Sequence, residues 1–272
     1  MRSLERPALL AGCMAGALSM AWPDAAEPFW SPLSGEWLVT VKANLTAAPQ
    51  YPGSDQLAFS PTPGLSIRRA GTPLAFSAPD DNIGFAIIDT GRFKLGPSAK
   101  FVSARNAGDY RELAGLRDVD WTLEAGLFAE FWATDNIRLR GDIRYGFHGH
   151  RGVVADLGAD YVHRDGPWTL SGGPRLVLGN TSFTNATFGV TPAESLANGV
   201  LPAYAPGGGL TSAGAAAAVS YDWNPQWRTT LWGRYDRLTS DAGKSPIPTL
   251  TGSRNQFKIG ATLAYTFNLR IP

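Results

Sequence analysis

Apolar and polar residues alternate one by one along most of this chain. The pattern is clearest on either side of residues 134–136, where odd positions are apolar from 121 to 131 and from 137 to 147. Charges spaced by two share one face of a strand, whereas on a helix they would be distributed around the axis. The pattern therefore predicts a β-hairpin with one apolar and one charged face. The charged face of its second strand carries Arg138, Arg140, Asp142 and Arg144.

Comparable alternation recurs in segment after segment, each of a length typical of a strand. Residues 73–89 are the least regular part, and we interpret them as two short strands at 74–77 and 83–88. With these two, the chain is predicted to form about twelve strands. The other ten are predicted over residues 37–45, 57–68, 92–101, 121–131, 137–148, 153–161, 168–178, 213–223, 227–238 and 257–267.

The connections between these strands alternate in length. Short turns at one rim and long loops at the other are typical of outer-membrane barrels. The short connections are predicted at 70–72, 134–136, 164–167 and 224–226, and the long ones at 48–55, 106–120, 180–210 and 239–255. A soluble β-sandwich also alternates. However, it gives no reason for tryptophans to collect beside the short turns, as a membrane-interface girdle does. These tryptophans are Trp37, Trp168, Trp223 and Trp227.

The alternation and the loop pattern together predict an all-β fold: a transmembrane antiparallel up-and-down β-barrel of about 12 strands, with short periplasmic turns and long extracellular loops. Composition agrees, because 44% of residues are hydrophobic and only 17% are charged. No apolar run in the sequence reaches the roughly 18 residues that a transmembrane helix needs. The net charge of +1 argues against binding to nucleic acid, which requires a basic surface.

The N-terminus has the features of a secretory signal peptide. Arg2 and Arg6 precede an apolar stretch that is too short for a membrane anchor. We predict a signal peptide at residues 1–21, with cleavage possible as far as 26, then an N-terminal segment at 22–35, the barrel at 36–267 and a C-terminal extension at 268–272. Cys13, the single cysteine, ends a short lipoprotein-like sequence, so a lipid-anchored form is the alternative.

Several sequence motifs resemble those of the MltA-interacting protein/OmpV family. The resemblance follows chain order over nearly the whole mature region. It rests on residues 50–54 (QYPGS), 150–152 (HRG), 188–190 (FGV), 201–204 (LPAY), 235–238 (YDRL), 241–242 (DA), 245–246 (SP), 252–253 (GS) and 255–256 (NQ). It implies an outer-membrane barrel. The role proposed for the founding member is a scaffold that links a murein-degrading lytic transglycosylase to a murein synthase, and other members are described as adhesins or immunogenic surface proteins.

Charged residues on the inward face of the predicted barrel are similar in number for the two signs. In a narrow barrel we expect them to pair across the lumen and fill it, since open porins have 16 or more strands. A small, slightly anion-preferring channel is the alternative. The predicted network comprises Glu124, Glu130, Arg138, Arg140, Asp142, Arg144, Asp156, Asp160, Arg175 and Arg234. A turn centred on Asp135 further predicts that Glu130 lies opposite Arg140, and a turn centred on Pro225 predicts that Asp222 lies opposite Arg228.

The connection at residues 180–210 is too long to be only a linker. Its apolar side chains are predicted either to present the loop to a partner or to fold it against the barrel mouth as a cap. The candidate interaction residues are Phe183, Phe188, Val190, Leu201 and Tyr204.

The sequence offers little that indicates catalysis. His148 and His150 lack a third metal ligand nearby, so we expect rim histidines rather than a metal site. A lipid hydrolase that uses one of them with Ser182 or Ser245 is a remote alternative, because no motif positions either serine. We therefore expect no catalytic residue, no cofactor and no metal. The predicted function is that of a non-enzymatic scaffold of the Gram-negative outer membrane, in contact with its lipid and, by resemblance, with murein-remodelling enzymes. A narrow channel and a surface adhesin remain the alternatives.

Overall fold

The computed structural model describes residues 35–72 and 74–271, and these form one antiparallel sheet of twelve strands with short helices in the loops. The strands are β1 (Gly35–Pro49), β2 (Leu57–Arg69), β3 (Ile83–Gly84), β4 (Ile88–Asp89), β5 (Phe93–Val102), β6 (Thr122–Trp132), β7 (Ile137–His148), β8 (Val153–Asp165), β9 (Trp168–Gly179), β10 (Gly209–Asp222), β11 (Trp227–Leu238) and β12 (Asn255–Ile271).

The strands follow one another around a curled sheet as an up-and-down meander. The order is β2-β1-β12-β11-β10-β9-β8-β7-β6-β5-β3, and the short β4 also pairs with β5. The first and last long strands, β1 and β12, are neighbours over thirteen residue pairs, which brings the two ends of the barrel region together. The predicted all-β membrane-barrel fold is confirmed.

The pairing of residues in the hairpins agrees with the pairing predicted from the sequence. Glu130 lies opposite Arg140, and Asp222 lies opposite Arg228, as turn positions alone predicted. Odd positions of β6 and β7 point outward. Leu127 there is 55% exposed and Ile143 57%, as expected for side chains that face lipid. The even positions of these two strands point into the lumen.

The prediction of a strand at residues 74–77 is wrong. These residues lie outside the sheet, and the chain from 74 to 82 instead turns into the lumen, where Asp80 and Asp81 pair with arginines of the wall. We call residues 74–82 the lumen segment. Two adjacent carboxylates next to Pro79 do not fit a lipid-facing strand, because proline removes a ladder donor and charges near the bilayer core are costly.

The barrel wall has a seam between β2 and the short strands β3 and β4, and the lumen segment lies between these strands in sequence. Within the described ranges, no ladder joins β2 to β3 or β4. The N–H of Ala70 donates to Glu36 O, so the even residues of β2 bond to β1 and the odd residues point towards the seam. Pro61 and Pro63 are both odd and lack the N–H that would face this free edge. Proline at an edge strand is a common protection against unwanted strand pairing.

The long loops pack over one rim of the barrel as a cap. They contain α1 (Thr181–Phe188), α2 (Pro192–Asn198), α3 (Ser240–Lys244) and α4 (Pro246–Leu250). Side chains from four different loops form one apolar core there, so the loops cover the mouth as a folded unit. The buried members of this core are Tyr51, Ala107, Leu113, Leu116, Val190, Leu201 and Ile247.

The opposite rim has short turns and many aromatic side chains. Trp168 packs edge-on against Tyr221, which in turn packs against Trp223, and Trp227 packs against Tyr265. Trp223 is 66% exposed, as expected for an interface girdle.

The signal peptide at 1–21, the lipid-anchored alternative at Cys13 and most of the segment at 22–35 lie outside the described residues. At the other end of the chain, β12 continues to Ile271, so residues 268–271 are part of a strand. No helix in the part of the chain that is described is long and apolar enough to cross a bilayer.

Candidate functional site: the filled lumen and its cap

Arg138 is the centre of the lumen network. Its side chain is only 1% exposed, and its guanidinium reaches Asp81 at 2.6 Å, Glu130 at 2.9 Å and Asp160 at 3.0 Å. These carboxylates come from the lumen segment, from β6 and from β8. A buried arginine of this kind stabilises only when its hydrogen bonds are satisfied. One side chain therefore ties the lumen segment to two strands of the wall.

A second anchor of the lumen segment is Asp80. Its carboxylate accepts from Arg175 Nε at 2.8 Å and Nη2 at 3.1 Å, and from Arg234 Nη1 at 3.0 Å. The first of these contacts is the two-point geometry that makes arginine–carboxylate pairs strong. The backbone is held as well, because Asp81 N–H donates to Ala78 O and Ala78 N–H donates to the Asp81 carboxylate. The lumen segment thus forms a tight turn with its two acids against three arginines.

A third cluster lies closer to the cap. Arg144 binds Glu124 at 2.9 Å and Asp156 at 2.5 Å, and His150 Nε2 lies 3.1 Å from Glu124. Gly152 N–H donates to Nδ1 of the same histidine. This leaves Nε2 to carry the proton that is donated to Glu124. The loop between β7 and β8 is thereby fastened to the lumen network.

The predicted pairing partners need one correction. Glu130 lies opposite Arg140, but their charged groups are 3.8 Å apart, whereas Glu130 and Arg138 approach to 2.9 Å. Arg140 instead binds Asp142, two residues along its own strand, at 2.8 Å. Register sets which backbone positions face each other, but long arginine side chains reach diagonal neighbours.

The structure places all ten residues of the predicted network at ion-pair distance from at least one opposite charge, and it adds others. We call the strand charges that join this network or line the cavity beside it the wall charges. The wall cations outnumber the wall carboxylates by one. The cations are Lys94, Lys100, Arg138, Arg140, Arg144, Arg175, Arg234 and Lys258, and the carboxylates are Asp89, Glu124, Glu130, Asp142, Asp156, Asp160 and Asp236. Asp80 and Asp81 supply two further negative charges.

A cavity of about 180 Å³ remains beside the lumen segment. Asp80 and Asp81 form part of its lining, and Lys100, Arg140, Arg234 and Lys258 form another part. The strand residues of this lining include six cations and three carboxylates, so the wall of the cavity is net basic, and the cavity lies next to the two acids that occupy the arginines.

The candidate interaction loop is folded inward at most of the positions named from the sequence. Phe188 and Val190 are each 2% exposed and Leu201 is 1% exposed, so these side chains form the cap interior. Phe183 packs edge-on against His150, and Tyr204 donates its hydroxyl proton to Asp241 O. The side chains that this loop presents to solvent are others. Leu196 is 87% exposed and Val200 is 65% exposed.

Two charged side chains hold the cap together. Arg105 donates to the carbonyls of Ala186 and Thr187 at the end of α1, and burial lowers the pKa of Arg105 to about 10. Glu194 caps the start of α2 together with Thr191 and binds Arg117. Burial by itself raises the pKa of Glu194, but the N–H groups of Thr191 and Arg117 lower it more, so the pKa is below its usual value.

Of the four residues considered for hydrolysis, Ser182 is exposed on α1, and the other three are engaged in other contacts. Ser245 is fully buried, and its hydroxyl donates to Phe188 O at 2.7 Å. His150 is buried against Glu124, while His148 stacks on Trp121 on the outside and has a positive φ of 77°. The two histidines therefore do not share a strand face. No cluster of potential metal ligands occurs among residues 35–72 and 74–271.

Sequence reasoning missed Asp80, Asp81 and the role of His150. Asp80 and Asp81 lie in a region without alternation, and only their unusual position between two predicted membrane strands was a signal. His150 follows the end of β7, where a left-handed residue changes the direction of the chain, so strand periodicity gave no information about its side chain.

The short-turn rim has an unpaired strand edge. β11 begins at Trp227, which lies opposite Tyr265, so residues 267–271 of β12 extend past β11. On their other side they pair with β1. Thr266 N–H donates to Gln226 O, which shows that even residues of β12 face β11. Asn268 and Arg270 therefore direct their backbone groups to an edge with no strand partner among the described residues.

Comparison with known proteins identifies one family. The sequence profile of the family described as MltA-interacting protein MipA matches residues 41–267. No curated protein matches the chain. Among solved structures, an outer membrane channel from Pseudomonas putida F1 is 12% identical, with 86% of this chain and 96% of that chain covered and a TM-score of 0.42. The NanC porin is 9% identical, with 86% and 100% covered and a TM-score of 0.40, and the KdgM porin is 9% identical, with 86% and 99% covered and a TM-score of 0.38.

Proposed function

Because the chain belongs to the MltA-interacting protein MipA family, we propose that it is a non-enzymatic scaffold of the outer membrane that anchors a murein-remodelling enzyme at its periplasmic rim. In this proposal the protein reaches the membrane after export by its signal peptide. The observation that carries the scaffold role, rather than the channel role, is the lumen segment. It crosses the interior on ion pairs of 2.6 to 3.0 Å.

The cap also favours a scaffold over a channel. A diffusion channel needs a continuous aqueous path, and here the loop core of Leu113, Leu201, Ile247 and their neighbours covers the long-loop mouth of the barrel. Both closures are made by buried contacts and not by loose loops. A barrel closed in two places is suited to hold a partner and not to pass solutes.

The extended end of β12 is the proposed docking edge for the enzyme. Its backbone groups at Asn268 and Arg270, which have no strand partner within residues 35–72 and 74–271, are of the kind to which a partner strand adds by main-chain hydrogen bonds. The edge lies at the short-turn rim, which faces the periplasm in barrels of this type. Murein lies on that side, so the position fits a partner that works on murein.

The test is a binding measurement with purified MltA and the refolded barrel in detergent. Asn268→Pro removes the free-edge N–H and leaves the ladder to β1 intact, because odd residues of β12 bond to β1. We expect this change to weaken binding several-fold, in line with the loss of one edge hydrogen bond and the clash of the ring. Leu196→Ser on the cap is the control and should bind as the native protein does.

Two outcomes would contradict the proposal. If the native barrel, folded as judged by heat-dependent gel mobility, shows no binding to MltA, the scaffold role is wrong. If binding is lost with Leu196→Ser and kept with Asn268→Pro, the partner site is on the cap and not at the end of β12.

A further inference from the structure

The lumen segment occupies a set of arginines that belongs to the wall. Asp80 lies between Arg175 and Arg234, and Asp81 binds Arg138. These arginines project from β9, β11 and β7, so the basic site is built by the rigid sheet. The acids are delivered by a stretch that has no strand partner. The wall supplies the site, and the chain's own carboxylates fill it.

Without the lumen segment, the wall has more cations than carboxylates. The wall charges have one more cation than carboxylates, and Asp80 and Asp81 bring two negative charges, so the positive excess belongs to the wall alone. Uncompensated cations inside a narrow barrel are costly. When the lumen segment leaves, something else must supply negative charge to the same arginines.

Space is present beside the two acids. The cavity of about 180 Å³ is bordered by Asp80, Asp81 and the cations Lys100, Arg140 and Lys258. A solute in this cavity lies beside Lys100 and Lys258 and next to the ion pairs of the lumen segment. It therefore competes with Asp80 and Asp81 for their arginines.

We propose that the lumen contains a binding site for small solutes with two or more carboxylate groups, and that such a solute displaces the lumen segment from Arg138, Arg175 and Arg234. Asp80 and Asp81 stand in for the carboxylates of the ligand. This inference does not rest on the scaffold role, because it concerns the interior and not the rim.

The lumen segment also supplies its own reporter position. Ala78, in the turn that carries both acids, is 3% exposed. In a Cys13→Ser background, Ala78→Cys introduces a thiol that is protected while the segment is seated. The rate at which a membrane-impermeant thiol reagent labels this thiol in refolded protein measures how often the segment leaves its arginines.

The probe is citrate, compared with sodium chloride at equal ionic strength. We expect citrate to raise the labelling rate roughly tenfold, while chloride, which only screens charge, has a small effect. Asp80→Asn with Asp81→Asn should label fast without citrate and gain nothing from it. Asp135→Asn, the same type of substitution at a turn residue 95% exposed, is the control and should behave as the native segment does.

Three results would overturn the proposal. One is equal acceleration by chloride and citrate, which means screening alone. Another is slow labelling of the folded Asp80→Asn, Asp81→Asn double variant, which means that the segment is held by other contacts. The third is acceleration by inorganic phosphate but not by citrate, which would assign the site to a different anion. If the double variant fails to fold, the comparison of citrate with chloride in the protein that keeps Asp80 and Asp81 still tests the proposal.

Discussion

Arg138 provides the sharpest test of the buried lumen network. We consider Arg138→Met, which keeps most of the length of the side chain and removes its charge. The change leaves Glu130, Asp160 and Asp81 without the guanidinium that lies 2.6 to 3.0 Å from each. Breaking a buried ion pair on one side costs about 3–5 kcal/mol, because the remaining charge stays buried.

The partners that the three carboxylates keep indicate where in the range of about 3–5 kcal/mol the loss of stability should fall. Asp160 keeps Arg175 at 2.7 Å, so it stays paired. As cationic partners, Glu130 and Asp81 keep Arg140 at 3.8 Å from each, and Glu130 also keeps Lys94 at 3.9 Å. Their remaining short contacts are to neutral donors, among them Trp132 Nε1 at 3.0 Å for Glu130 and Ala78 N–H at 2.8 Å for Asp81. Two of the three carboxylates are thus poorly compensated. We expect a loss of about 3–4 kcal/mol in the free energy of unfolding.

The matched control is Arg228→Met. Arg228 pairs with Asp222 at 2.5 Å on the same kind of inward strand position, but both side chains are about one-third exposed. A solvated pair of this kind contributes about 0–1 kcal/mol. Both variants lose one positive charge, so their difference isolates burial.

The assay is reversible urea unfolding of the barrel from lipid vesicles, followed by tryptophan fluorescence. The account predicts a difference of at least about 2 kcal/mol between the two variants. Adding Glu130→Gln to Arg138→Met should recover part of the loss, since directly paired residues are non-additive by about 0.5–3 kcal/mol. Equal losses for Arg138→Met and Arg228→Met, or strict additivity with Glu130→Gln, would refute the claim that the interior is held by buried ion pairs.

Three further predictions concern the lipid face and the cap. Leu127→Arg should cost about 2–4 kcal/mol in the same vesicle assay, because Leu127 points outward from the middle of β6; normal stability would contradict the outward register. Arg105→Met should loosen the end of α1, since two buried carbonyls lose their donor at a cost of about 1–3 kcal/mol, and limited proteolysis should then cut residues 181–208 faster. The carboxylate of Glu194 has a lowered pKa, so its contribution is present above the usual value of 4.5 and is lost as the pH falls below it. The hydrogen-exchange protection factors of α2, corrected for the intrinsic exchange rate at each pH, should therefore fall between pH 5 and 3 in the native protein, and a Glu194→Gln variant that kept the same pH dependence would contradict this assignment.

Much of the barrel could be predicted from local pattern alone. Period-two alternation fixes which face of a strand is apolar, and a short turn fixes the register on both sides of it. For this reason the opposition of Glu130 to Arg140 and of Asp222 to Arg228 followed from the turn positions, and both are observed.

The pattern did not predict features that depend on the reach of long side chains or on contacts between residues far apart in sequence. The partner of Glu130 is Arg138, because a long side chain can choose a diagonal neighbour over an opposite one. The path of Asp80 and Asp81 is set by arginines that are 57 or more residues away in sequence. No local signal carries that information.

The same distinction between local pattern and non-local contact applies to the cap. Phe188, Val190 and Leu201 were named from the sequence as apolar side chains of a long loop. The burial of Val190 and Leu201 depends on Tyr51, Leu113 and other residues far along the chain, and Phe188 packs instead with Leu238 and Ala242. Sequence composition showed that the loop carries apolar side chains. Which of them face solvent is a tertiary result.

The central claim is that the lumen is closed by the lumen segment and the cap. Planar-bilayer recording of the native barrel, with folding checked beforehand by heat-dependent gel mobility, tests it most directly. The account predicts a silent membrane in chloride solution, with no steps of defined size. Stable, reproducible conductance steps from the folded native protein would contradict it.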